Sequence, residues 1–280
     1  MNKINSLCFL FLAFSVLLGV NSGCWGGSNQ LGPTPTSWPT PTINELISGF
    51  NSQDPDQRAD AADNVMAYSH SEMEKAQLRP YLVKSLSDPD GQVRVFATQS
   101  LYQLDIYDEQ AVQILISRLN NTHYQYAEFE LRTTIQAIEQ FADHAQEATP
   151  ALIGELRTPI AHEKIAAANA LGAIGDPVAI PYLLLIVLSS NESWVRSEVA
   201  DALAEYGPEA RCAVPHLVPL LDDPENEISS SAATAINQAA DNGFEYRIVN
   251  ATKEWWQETG QYESWPACPN GLNGEVILPP

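Results

Sequence analysis

Few side chains in this chain are spaced to do metal or covalent chemistry. Cys212 and His216 stand at i, i+4, which places two ligands on one helical face. A tetrahedral metal site needs four ligands, and no second pair accompanies them. Asp222-Asp223-Pro224-Glu225-Asn226-Glu227 crowds carboxylates but lacks the glycine and the spaced ligands of a calcium loop, so it reads as a turn. His162-Glu163 is the single His-Glu pair, since His70, His123, His144 and His216 are each followed by a non-acidic residue. No Ser/His/Asp array, phosphate loop or CxxC offers itself. The residues therefore predict no catalytic centre, no metal site and no cofactor.

The cysteines suggest a different chemistry. Residues 1–23 read as a signal peptide, with Lys3 before an apolar run from Leu7 to Val20 that is short for a bilayer span. The run ends in Asn21-Ser22-Gly23-Cys24, which resembles a bacterial lipobox, although Asn21 stands where that pattern usually has Leu. The resemblance implies that Cys24 is acylated and becomes the mature N-terminus, and a cleaved, soluble secreted protein is the alternative. Residues 24–42 form a Gly/Pro/Thr-rich linker. Its Pro33–Thr42 stretch would span about 30 Å in polyproline II geometry. With Cys8 removed and Cys24 acylated, Cys212 and Cys268 are the remaining pair. Either they form a bridge, contributing about 4 kcal/mol by loop closure, or they are two separate thiols.

The elements that hold these groups recur about every 33 residues. The register is marked by Phe50, Leu86, Leu119, Leu156, Leu188 and Leu221, at intervals of 36, 33, 37, 32 and 33. Such a period signifies a solenoid, whose units bury apolar faces only against their neighbours and leave a long surface free. After each marker come turn formers, as in Ser87-Asp88-Pro89-Asp90-Gly91, and then an Ala-rich segment. A second helix is thus expected to begin near Arg94, Arg196 and Ser229. Eleven residues past the markers stand Ala61, Ala97, Ala167, Val199 and Ala232, and fifteen past stand Val65, Leu101, Leu171, Leu203 and Ile236. This i, i+4 pair forms a core face on which small residues allow close helix approach. In the Leu119 copy about four extra residues within His123 to Glu130 displace the helix start to Arg132, leaving Ile138 and Phe141 as core. That bulge carries Tyr124, Tyr126 and Phe129.

Asp88-Pro89-Asp90-Gly91-Gln92-Val93-Arg94, Ala166-Ala167-Ala168-Asn169-Ala170-Leu171-Gly172, and Ser193-Trp194-Val195-Arg196 with Ala202-Leu203 resemble the HEAT-repeat family, especially its branch related to phycobilisome lyases. The resemblance covers residues 43 to 243. It implies an all-α, right-handed solenoid of about six hairpins, with a disordered N-terminal linker before it and a capping helix and aromatic tail in 244–280. It also implies a protein-binding scaffold. Enzymes on this fold include deoxyhypusine hydroxylases, whose two irons need several His-Glu pairs; the single pair here cannot assemble that site. A chromophore-lyase-like enzyme or enzyme subunit is the alternative, and it would require a cytoplasmic location.

The formal net charge is −21, and between Ile165 and Glu245 only Arg196 and Arg211 oppose twelve carboxylates. Such a surface repels nucleic acid and anionic lipid, so membrane attachment is expected only through the lipid at Cys24. Eight residues past the markers a cation recurs as Arg58, Arg94, Lys164 and Arg196, broken by Ser229. This column reads as a structural ladder more readily than as a site for acidic ligands. Tyr102, Arg132, Asn169, Asp201 and Thr234 lie on the second helices away from the core face, and are expected to line the surface that meets another protein.

Overall fold

The computed structural model describes residues 41–67, 71–119, 127–241 and 249–268. These described residues fall within one compact unit. Cys24, the signal segment and nearly all of the linker lie outside the described residues. So do Tyr124 and Tyr126.

Thirteen α-helices are seen among the described residues: α1 Ile43–Phe50, α2 Pro55–Ala67, α3 Glu72–Ser85, α4 Gly91–Gln103, α5 Glu109–Leu119, α6 Ala127–Gln140, α7 Thr149–Glu155, α8 Ala161–Ile174, α9 Ile180–Ser189, α10 Ser193–Ala204, α11 Val214–Leu217, α12 Asn226–Ala240 and α13 Val249–Glu258. Taken in pairs, the first twelve make six hairpins of an all-α, right-handed solenoid. Each first helix packs on the second helix of its own hairpin, and α2, α4, α6, α8, α10 and α12 pack one against the next as a continuous row.

Local chemistry explains the ends. Thr42 and Glu45 form a reciprocal capping box on α1, as Ser71 and Glu74 do on α3. Asp90 accepts from the Gln92 and Val93 N–H groups and starts α4 at Gly91. The second helices thus open three residues before Arg94, Arg196 and Ser229, because the turn residues themselves form the first turn. α8 stops at Gly175, whose φ of +70° is left-handed. Pro215 and Pro219 remove backbone donors, so the first arm of the sixth hairpin is a single α-turn continued as a 3₁₀ segment, Val218–Asp222.

The expected core face is present: Ala61, Ala97, Ala167, Val199 and Ala232 are buried, as are Val65, Leu101, Leu171, Leu203 and Ile236. Close approach is seen between α8 and α10, where a Cβ on Gly172 would lie 2.7 Å from the Ala202 carbonyl oxygen. Polar groups also tie the row together. Ser100 Oγ donates to the Ala62 carbonyl at 2.8 Å, Ser197 and Ser231 hydroxyls meet at 3.0 Å, and the Tyr206 hydroxyl donates to the Leu171 carbonyl at 2.7 Å.

Two details of the register differ from expectation. α6 begins at Ala127, so the residue three positions into it, the place held elsewhere by Arg94 or Arg196, is Glu130 and not Arg132. The third hairpin therefore carries three extra residues before this position; Ile138 and Phe141 are buried nonetheless. In the fifth hairpin the marker is Val187. It is fully buried, whereas Leu188 is 43% exposed and Leu86, Leu119, Leu156 and Leu221 are at most 3% exposed. The Val187-Leu188 doublet offers two apolar residues for one core position, and packing against α10 selects the first.

At the end of the stack α13 lies on α12, with the Thr252 hydroxyl donating to Asn237 Oδ1 at 3.0 Å and Lys253 Nζ 2.8 Å from Asp222. The amphipathic run expected from Phe244 is described as helix only from Val249 to Glu258. Trp255 and Trp256 on this helix and Trp265 beyond it have ring centroids 6.0–6.3 Å apart, and Trp265 Nε1 donates to the Gly260 carbonyl at 3.0 Å. Cys212 and Cys268 are joined by a disulfide, with Cα atoms 4.9 Å apart. The Cys212 sulfur is thereby occupied, so it is not free to pair with His216 as a metal ligand.

Candidate functional site

Of the cation column Arg58, Arg94, Lys164 and Arg196, the three arginines face the turns, while Lys164 is half-buried. Arg58 Nε and Nη2 grip the Asp88 carboxylate at 2.7 and 2.9 Å, while its Nη1 donates to the Ser52 and Gln53 carbonyls. Arg94 repeats this: Nη1 binds the Asp88 and Pro89 carbonyls, and Nε and Nη2 bind Glu130 at 2.7 and 2.8 Å. Arg196 reaches the Ser190 carbonyl and Asp223, each at 3.3 Å. Each guanidinium thus closes its own turn and clamps the neighbouring hairpin, a use that suits the planar fork of Arg. These cations are spent on the fold and offer no site for an acidic ligand.

Glu130 inverts the column. It sits where a cation would, accepts the fork of Arg94, and has Arg118 Nη1 at 3.5 Å; Arg118 also donates to the Leu86 carbonyl. Sequence reasoning missed this rung because the insertion shifted the count, and a lone Glu in a column of cations was its signal.

Electrostatics follow burial and partners. Burial by itself would raise the Asp88 carboxyl, but hydrogen bonds from Arg58 and the Asp90 N–H, with the charges of Arg58 and Arg94, hold it below its ordinary value. Asp60 and Asp63 on α2 are raised, first by partial desolvation and then by carboxylate neighbours: Asp56 and Asp54 for the former, Asp60 for the latter. Glu155 is raised by desolvation and by Glu163, a buried carboxylate that accepts from the Thr158 hydroxyl at 2.9 Å.

The row of second helices leaves a strip of side chains open. Tyr102, Asn169 and Asp201 are half-buried and Arg132 is exposed, its guanidinium 5.5 Å above the Phe129 ring. Thr234 does not join them. It is 6% exposed, its hydroxyl turned to the Ser230 carbonyl, on a helix that is buried along most of its length and on which α13 also packs. Among the described residues no cluster of three His, Cys, Asp or Glu side chains is arranged to hold a metal ion. Nor is any described helix long and apolar enough to cross a membrane.

A further group of exposed apolar residues lies where the two helices of each hairpin join. Phe129, Ile160, Leu188 and Trp194 all fall on this edge in hairpins three to five. The Trp194 ring lies 5.1 Å from that of His162, tilted by 55°, and His162 holds the same position in the preceding hairpin.

Comparison with known proteins agrees with this architecture. The family model described as HEAT repeats matches residues 43–132 and 128–204. No curated protein matches the chain. Among solved structures, an engineered protein from the Northeast Structural Genomics Consortium is 21% identical, with a TM-score of 0.55 over 71% of this chain and 96% of its own. A second engineered protein from that consortium is also 21% identical, with a TM-score of 0.53 over 76% of this chain and 60% of its own. The complex of CpcE and CpcF of phycocyanin lyase from Nostoc sp. PCC7120 is 19% identical over 81% of this chain and 99% of that chain, at a TM-score of 0.38. The two engineered proteins bear on the fold alone.

Proposed function

The chain belongs to the HEAT-repeat family, and from that premise we propose that it is a non-enzymatic scaffold that binds another protein at the cell envelope, tethered by a lipid on Cys24. The observation that carries the binding half is the continuous row of second helices. Its structural cations are turned into the turns, while Arg132, Asn169 and Asp201 keep exposed or partly exposed surface along one strip. A solenoid surface of this kind grips a partner through many small contacts and needs no enclosed pocket. The tether rests on Ser22-Gly23-Cys24 after an apolar run, followed by a Pro/Thr spacer.

Fatty-acid labelling and membrane fractionation of the wild type beside Cys24→Ser test the tether. Label and membrane association that vanish with Cys24 support it. An unlabelled wild type in the cytoplasm overturns it and directs the search to lyase-like activity. Cross-linking in cells, with Asn169→Ala/Asp201→Ala as the comparison, tests the scaffold: loss of a defined cross-linked product in the variant supports the inner strip as its contact.

A further inference from the structure

The second exposed feature is the edge where first and second helices join. Among the described residues the turns on this edge differ in chemistry. The first carries exposed Asp54 and Asp56, and the sixth carries exposed Asp222, Glu225 and Glu227. The turns of hairpins four and five present Ile160, Leu188 and Trp194, which are 38%, 43% and 39% exposed. Isolated exposed apolar residues need no explanation, but these three fall on the same edge in two consecutive repeats.

Leu188 adds an independent observation. The packed position of its hairpin is already filled by Val187, which leaves Leu188 43% exposed on the same turn that carries Trp194. The Trp194 ring has the His162 ring on one side at 5.1 Å, and Trp is among the residue types that most often anchor interfaces.

We propose that this edge, across the fourth to sixth turns, docks an extended protein segment in which an apolar stretch is followed by Lys or Arg. This deepens the scaffold reading above and rests on it. The apolar side chains cover Ile160, Leu188 and Trp194. The cations fall at the sixth-turn end, against Glu225 and Glu227, since the fourth turn carries the exposed cation Arg157 and would repel them.

The test uses the full chain and a short fluorescein-labelled peptide with a Leu/Phe half followed by a Lys half, read by anisotropy. Two control peptides carry Ser for Leu/Phe, or Glu for Lys. The expected result is saturable binding of the first peptide and at least about tenfold weaker binding of both controls. Trp194→Ala and Leu188→Ser each weaken the first peptide by a similar factor, with helical circular dichroism unchanged. Absence of binding, or equal binding of the Glu-bearing peptide, overturns the proposal. If Asn169→Ala/Asp201→Ala abolishes binding while Trp194→Ala does not, the edge is wrong and the scaffold reading stands on its inner strip. If the chain self-associates and Trp194→Ala dissociates it in sedimentation, the occupant is a second copy and the proposal fails.

Discussion

Arg94 and Glu130 meet fork to fork across neighbouring hairpins, with Nε–Oε1 at 2.7 Å and Nη2–Oε2 at 2.8 Å, and both side chains under 10% exposed. The pair joins the second hairpin to the third at the place where the insertion breaks the repeat. Removing one partner of a buried pair leaves an uncompensated charge, which costs more than the intact pair contributes. Glu130→Ala is therefore expected to cost about 3–5 kcal/mol in urea unfolding. A loss below about 1 kcal/mol would show that Arg94 and Arg118 find water or other acceptors.

Arg58–Asp88 gives the pH dependence its sign. The folded Asp88 carboxyl lies below its ordinary value, so its contribution is present above about pH 4, the unfolded value, and is lost as pH falls through the folded one. The stability difference between wild type and Asp88→Asn should shrink as pH falls from about 5 to 2. A constant difference refutes the linkage.

Asp60 and Asp63 act in the opposite direction. Their raised values mean the folded state binds protons more readily, so the relative stabilisation is present at acid pH and disappears as pH rises through the folded values. Asp60→Asn/Asp63→Asn should raise the melting temperature at neutral pH and leave it nearly unchanged near pH 4. An unchanged melting temperature at neutral pH would refute it.

Tyr206 is buried with its hydroxyl on the Leu171 carbonyl; desolvation, with Asp176 nearby, pushes the phenol above its ordinary value. Its contribution is complete below about pH 10 and declines above it, where the unfolded chain ionises first. Tyr206→Phe should cost about 1 kcal/mol at neutral pH and lack that alkaline decline.

The Cys212–Cys268 bond closes a 56-residue separation and anchors the tail. Cys268→Ser should lower stability by about 4 kcal/mol on the chain-entropy account. The segment after α13, which also holds Arg211–Glu263 at 2.9 Å, should become protease-sensitive. Unchanged proteolysis would mean that Trp265 under Arg211 and its ring neighbours hold the tail unaided.

The repeat, the hairpins and most of the core were legible in the sequence because each depends on local spacing. Ala97 and Leu101 share a helix face whatever lies next to them, and Asp90 caps α4 from two residues away. What remained hidden depended on which neighbour arrives. Val187 and Leu188 are equally apolar, and only the packed surface of α10 selects Val187 and turns Leu188 to water. Glu130 looks like one more surface carboxylate until α4 and α5 bring Arg94 and Arg118 to it from 36 and 12 residues away. Thr234 has the helical position of Asn169 and Asp201, yet it is buried on α12, the last second helix, on which α13 also packs, so equivalent positions in a repeat do not share one environment. Periodicity sets which face a residue occupies; tertiary packing decides whether that face meets protein or water.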